Sequence, residues 1–219
     1  MKKYFINKNS ENLLIFFTGW GCDEYEFEHL ESDSDVLILY NYSDLNLDFD
    51  FSKYKNVDLI AFSAGVFVNS IMNFDFKINK KIAISGNPYL FDEKLGLSKK
   101  IQDILCNITV DNADDFARNY LVKTEDEWKK FHHSKRTMES CKLEFDYLKN
   151  LYKENFSKIK DNFDIAIFGE EDTIFNVGVQ KEFYGKRLNL IENARHNLFF
   201  RISRYEEIFD LANNPNKFN

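Results

Sequence analysis

A serine set among small residues at the end of an apolar run is the first place where this chain could do chemistry. The run Asp58, Leu59, Ile60, Ala61, Phe62 leads into Ser63, Ala64 and Gly65, and a helical pattern follows. A strand that enters a helix through so tight a turn needs small residues two before and two after the serine. Ala61 and Gly65 meet that need in the form A-x-S-x-G. The turn would lift the hydroxyl of Ser63 clear of the backbone as a nucleophile. Small residues also flank ordinary packing turns, so the pentapeptide alone leaves both readings open.

A serine hydroxyl becomes nucleophilic at neutral pH only when a histidine takes its proton and a carboxylate fixes that histidine. Four histidines are present. His29 follows an acidic loop, and His132 and His133 are adjacent in a polar stretch. His196 follows the apolar run 187–191 in the loop Glu192, Asn193, Ala194, Arg195, His196, Asn197. The run 163–168 leads into Gly169, Glu170, Glu171, Asp172, Thr173; Asp172 is the preferred acid, with Glu171 and Glu170 as alternatives. Nucleophile, acid and then histidine is the chain order of α/β-hydrolases. Acyl chemistry also needs amide donors for an oxyanion, one after the nucleophile and one after an early strand. The run 13–17 ends in Thr18, Gly19, Trp20, Gly21, Cys22, so the predicted donors are the N–H groups of Trp20 and Ala64. Cys22 reads as a small packing residue, and no metal or organic cofactor is called for.

Six elements must position these groups. Near-continuous apolar runs at 13–17, 36–40, 57–62, 81–85, 163–168 and 187–191 predict buried strands of a mostly parallel sheet. Helical spacing at 64–73, 177–184 and 198–212 places helices between and after them, an α/β architecture with both sheet faces covered. The interval 88–160 contains no convincing strand but several amphipathic stretches, one of which aligns Cys141, Phe145, Leu148 and Tyr152. The expected organisation is a core of 1–87 and 161–219 with a helical cap insertion at 88–160, forming one compact unit. The polar tail 213–219 is expected to fray.

Composition narrows the classes. The chain has 219 residues, 44% of them hydrophobic, with 23 Phe and 11 Tyr but only eight Gly and two Pro. That rules out collagen-like, linker-like and disordered readings. A formal charge of −7 argues against a general nucleic-acid binder. Cys22, Cys106 and Cys141 are odd in number and far apart, the usage of reduced thiols in a cytoplasmic protein. Polar residues from Asn7 to Glu11 interrupt any signal-peptide core after Lys2 and Lys3, and no apolar run approaches the roughly 20 residues of a membrane span.

Taken together, T-G-W-G after the first strong strand, A-F-S-A-G at the turn, Ser85, Gly86, Asn87, Pro88 with Asp92 and Gly96, then G-E-E-D-T-I-F and a later R-H-N resemble the pimeloyl-acyl carrier protein methyl ester esterases of the BioG type. The likeness spans about residues 12 to 200 and is weakest within 98–160. It implies an α/β-hydrolase that cleaves the methyl ester of pimeloyl-acyl carrier protein in biotin synthesis, with Ser63 as nucleophile, Asp172 as acid and His196 as base. A carboxylesterase or thioesterase of the same fold, or a scaffold that binds a carrier protein without turnover, are the competing readings. Carrier proteins are acidic, so a chain of charge −7 needs a concentrated positive face. Within 128–142, five basic residues stand against one acidic, +4, leaving −11 for the rest. Lys129, Lys130, Lys135 and Arg136, with Arg118 earlier in the insertion, are the predicted carrier contacts. The partner expected is an acyl carrier protein bearing an acyl methyl ester, with neither nucleic acid nor membrane, and the enzyme that acts on it is expected to be a monomer.

Overall fold

The structure is a computed structural model that describes residues 1–213. Seven strands form one sheet: β1 (Lys2–Ile6), β2 (Asn12–Phe17), β3 (Asp35–Tyr40), β4 (Asn56–Phe62), β5 (Lys81–Ile84), β6 (Ile165–Gly169) and β7 (Leu188–Ile191), in the order β1-β3-β2-β4-β5-β6-β7. All pairings are parallel except β1 with β3. Six strands match the apolar runs of the sequence. β1 does not, because it is an edge strand with four of its five residues exposed, and its ladder with β3 rather than a buried pattern holds it.

Burial on both faces explains why the inner strands read as continuous rather than alternating. Leu13, Ile15, Phe17, Leu37, Leu39, Leu59 and Ala61 join one core; Leu14, Phe16, Val36, Ile38, Ile60 and Phe62, the neighbours in between, join the other. The first core packs under α1 (Ala64–Ile71) and also holds Tyr184 of α6 (Val177–Tyr184). The second is covered by α7 (Glu206–Asn213). Helix α6 has the predicted bounds. The predicted helix over 198–212 divides instead into a short 3-10 turn at Phe199–Arg201, an extended Ile202 and α7. Phe199, Phe200, Ile202, Tyr205 and Ile208 are all buried, which no single helix stripe could achieve. Of the predicted fraying tail, Asn213 ends α7 and 214–219 lie outside the described residues.

Between β5 and β6 run α2 (Lys99–Cys106), α3 (Ala113–Phe116), a π turn (Ala117–Leu121), α4 (Glu125–Lys130) and α5 (Met138–Asn155). Cys141, Phe145, Leu148 and Tyr152 form the buried stripe of α5. Leu97, Ile101, Phe145 and Leu148 share a core with sheet residues such as Leu39 and Ala61. The insertion is therefore packed into the main core rather than carried as a body of its own.

Candidate active site

Ser63 follows the last residue of β4 and precedes α1, with φ +52° and ψ −117°. A non-glycine residue is strained there, and the surrounding contacts hold it. Its N–H donates to Ile84 O (2.9 Å), and a Cβ added at Gly65 would lie 2.6 Å from the carbonyl oxygens of Phe17 and Thr18. The helix thus enters directly against the end of β2. Because Ala64 opens α1, its N–H has no partner within the helix.

His196 reaches this hydroxyl from the loop after β7. Its Nε2 lies 3.0 Å from Ser63 Oγ, and its Nδ1 lies 2.8 Å from Asp172 Oδ2. Asp172 follows β6; its other oxygen, Oδ1, accepts the N–H groups of Ile174 (2.9 Å) and Phe175 (3.1 Å), so the carboxylate has little freedom to turn. Both members of the pair are buried, at 4% and 0% side-chain exposure. The imidazole is stacked on Phe175 and tilted against Phe62, at centroid distances of 5.9 and 5.2 Å. The two loops are tied directly: Glu170 N–H donates to Ile191 O and Glu171 N–H to Ala194 O. Glu170 and Glu171 themselves are exposed, and Glu171 turns outward to Lys123. Among the three acids considered, Asp172 is the one that faces the histidine.

Cap carbonyls also hold the histidine loop. His196 N–H donates to Tyr120 O (3.3 Å) and Asn197 N–H to Leu121 O (3.0 Å), both in the π turn. Arg195 donates to the carbonyls of Arg118 and Val122. Nothing in the sequence signals these contacts, because each joins segments more than 70 residues apart and ends on a backbone carbonyl.

Above Ser63 and His196 opens a cavity of about 610 Å³ lined mainly by apolar side chains, among them Trp20, Leu90, Ile108, Phe116 and Phe145. Trp20 of the β2 loop and Ala64 both border it. Cys22 is buried at the same rim, where burial pushes its thiol well above the usual range. Among the described residues, no group of three or more His, Cys, Asp or Glu side chains could hold a metal ion. The motif Ser85, Gly86, Asn87, Pro88 shapes the neighbouring turn: Asn87 donates to Gln180 Oε1 and accepts Tyr89 N–H, while Gly86 O accepts Tyr184 OH.

The predicted carrier contacts divide. Lys129 is 72% exposed beside Asp126, Arg118 is half-exposed beside Glu125 and over the Trp128 ring, and Lys135 lies over Tyr25. Lys130 donates to Phe200 O (3.0 Å). Arg136 is different: at 6% side-chain exposure it is bound to Glu144 (2.6 Å), so the expectation of a surface contact there is corrected. A charge run in sequence does not distinguish a solvated lysine from an arginine that faces a buried carboxylate. His29 packs on Phe200, and His133 pairs with Asp114 at the wall of the same cavity; the hydroxyl of Ser63 is bonded to His196.

Comparison with known proteins gives the family and the fold. The family model for pimeloyl-ACP methyl esterase BioG matches residues 1–208. The crystal structure of BioG from Haemophilus influenzae superposes with a TM-score of 0.82 at 26% identity, covering 96% of this chain and 100% of that one. A lipase-esterase related protein from Clostridium acetobutylicum superposes with a TM-score of 0.60 at 18% identity, covering 99% of each chain. A carboxylesterase structure from Nitrososphaera gargenis gives 0.62 at 14% identity, covering 95% of this chain and 92% of that one. These two show the shared α/β-hydrolase fold. No curated protein sequence matches the chain.

Proposed function

Since the chain belongs to the pimeloyl-ACP methyl esterase BioG family, we propose that this carboxylic ester hydrolase cleaves the methyl ester of pimeloyl-acyl carrier protein by a Ser63, His196, Asp172 triad. The observation that carries the reading is the continuous relay of 3.0 and 2.8 Å from Ser63 Oγ through the imidazole to Asp172, opening into an apolar cavity.

Ser63 Oγ attacks the ester carbonyl while His196 Nε2 takes its proton; Asp172 accepts from Nδ1–H and so keeps Nε2 free to act as base. The carbonyl electrons collect on oxygen, where the N–H groups of Trp20 and Ala64 stabilise the charge. His196 then gives its proton to the departing methoxide, releasing methanol and leaving an acyl-enzyme. Water, deprotonated by His196, attacks that ester, and Ser63 leaves with the proton, so the free carboxylate is produced. The apolar cavity suits the methylene chain between the ester and the carrier thioester. Arg118, Lys129, Lys130 and Lys135 supply positive charge for the acidic carrier protein.

The test is hydrolysis of pimeloyl-acyl carrier protein methyl ester, followed as methanol release, by wild type and Ser63→Ala. The substitution is expected to lower kcat by about 10⁴ to 10⁶, the range for loss of a serine-hydrolase nucleophile. Wild type should also be labelled at Ser63 by a fluorophosphonate and should rescue a biotin-requiring strain that lacks its own ester-cleaving enzyme. Near wild-type turnover by Ser63→Ala would end the proposal.

A further inference from the structure

The turn that carries Trp20 is poorly held by its own backbone. Its one internal backbone bond runs from Cys22 N–H to Gly19 O at 3.4 Å, and Gly21 has φ +78°, a conformation that glycine adopts without strain. The groups that restrain it come from elsewhere. Glu144 Oε2, on α5, accepts Gly21 N–H at 3.0 Å and Arg136 Nη1 at 2.6 Å; Glu144 Oε1 accepts Tyr42 N–H at 2.7 Å. Tyr42 OH donates to Thr18 O at 2.8 Å, and Cys141 O of α5 accepts Trp20 Nε1–H at 2.6 Å. Arg136 donates further to Asn41 Oδ1, to Cys22 O and to both oxygens of Ser140. Glu144 and Arg136 have side-chain exposures of 0% and 6%.

A buried ion pair is a poor device for stability alone, because well-packed apolar side chains of similar size often serve as well or better. What an ion pair adds is direction. Every bond of Glu144 ends on a backbone N–H of the turns after β2 and β3 or on the arginine that braces them. Anchoring Gly21 N–H fixes the peptide plane that follows Trp20, and the indole bond to Cys141 O fixes the side chain. Between them they leave the Trp20 N–H little freedom. We propose that Glu144, held in place by Arg136, is a positioning residue that aims the Trp20 N–H at the oxyanion formed above Ser63. This rests on the reading of Ser63 as nucleophile and of the Trp20 amide as oxyanion donor. Helix α5 of the insertion is then part of the catalytic framework, and a cap that swung open as a whole would break these bonds.

The experiment uses Glu144→Gln, which replaces one accepting oxygen by an NH₂ and removes the charge opposite Arg136, with Arg136→Lys as a second variant. Each is assayed on a nitrophenyl ester and against an aliphatic trifluoromethyl ketone. Addition of Ser63 Oγ to that ketone transfers the serine proton to His196 and creates the same oxyanion without a leaving group. A misaimed donor is expected to lower kcat by about 10- to 100-fold with KM little changed, and to raise the ketone Ki by the same factor. Arg136→Lys should do the same to a smaller degree, and carries the comparison if Glu144→Gln does not fold. A purely structural role would lower the melting temperature without moving kcat and Ki together. Unchanged Ki in a folded variant, or a rise in KM at constant kcat, overturns the proposal. If wild type is not labelled at Ser63 by a fluorophosphonate, the nucleophile reading fails and this inference with it; labelled wild type with unchanged variant Ki overturns this inference alone.

Discussion

Asp172 divides its two oxygens between two tasks, Oδ2 on His196 Nδ1 and Oδ1 on the amides of Ile174 and Phe175. The division matters for substitution. In Asp172→Asn the Oδ1 position can still accept the two amides, so the loop keeps its shape, but the opposing NH₂ can no longer accept from Nδ1–H. The imidazole must then adopt the tautomer that places its proton on Nε2, towards Ser63. On the proposed mechanism kcat is expected to fall about 10⁴-fold with little change in fold, the size of effect seen when a triad carboxylate is neutralised. Steady-state kinetics alongside circular dichroism checks this, and a loss below about tenfold would assign the acid role elsewhere. Glu171→Gln, which touches Lys123 at the surface, is expected to leave kcat within about twofold, because exposed ion pairs contribute little.

At the scale of elements, the start of β3 is organised around one carboxylate. Asp35 is buried; it accepts the N–H groups of Lys8 (2.8 Å) and Ser10 (3.1 Å) on Oδ1, and Lys53 Nζ (2.9 Å) and Tyr54 OH (2.8 Å) on Oδ2. It thereby ties the turn between β1 and β2 to the turn before β4. Burial alone would raise its pKa, but the bonds from Lys53, Ser10, Tyr54 and Lys8 outweigh it and hold the carboxyl at about 2. A folded-state value below the unfolded one means that the stabilisation is present above the unfolded pKa of about 4 and is lost as pH falls towards 2. Asp35→Asn keeps an acceptor for the two amides and loses it for Lys53 and Tyr54. We expect it to cost about 1–3 kcal/mol at pH 7, with the gap from wild type shrinking as the pH is lowered below 4. Urea unfolding of both proteins at pH 7 and pH 3 measures it, and a gap that does not narrow with acid would contradict the assignment.

For the molecule as a whole, the net charge of −7 must be reconciled with the acidic carrier proposed as partner. Lys129, Lys130 and Lys135 belong to the cap, whose π turn carries the carbonyls that hold the His196 loop, so a carrier docked there would deliver its acyl chain towards the cavity. Replacing these three lysines by Gln is expected to lower the ratio of carrier-bound to free-ester kcat/KM by about tenfold at low salt, and raised salt should lower the wild-type ratio in the same way. Equal ratios for the two proteins at low salt would remove the cap from carrier recognition. Arg136 is left out of that set because it faces Glu144 rather than solvent.

Much of this was written locally and so could be read without coordinates. The inner strands are apolar over most of their length because both faces are buried, and the A-x-S-x-G turn needs small residues because helix and strand nearly touch; each is a matter of residues a few positions apart. The types of group required, a serine, a histidine and an acid in that chain setting, follow from the chemistry of activating a hydroxyl. What folding alone decided were the pairings across long separations. Ser63 and His196 are 133 residues apart, Gly21 and Glu144 are 123 apart, and Asp172 rather than Glu171 meets the imidazole only because the turn after β6 points one carboxylate inward and its neighbour out. β1, lacking a buried face, and Arg136, one basic residue among several, had no local mark of their roles. Local pattern records how a segment is covered; which distant atoms meet depends on how the covered segments stack, and that is settled only when the chain is closed around its core.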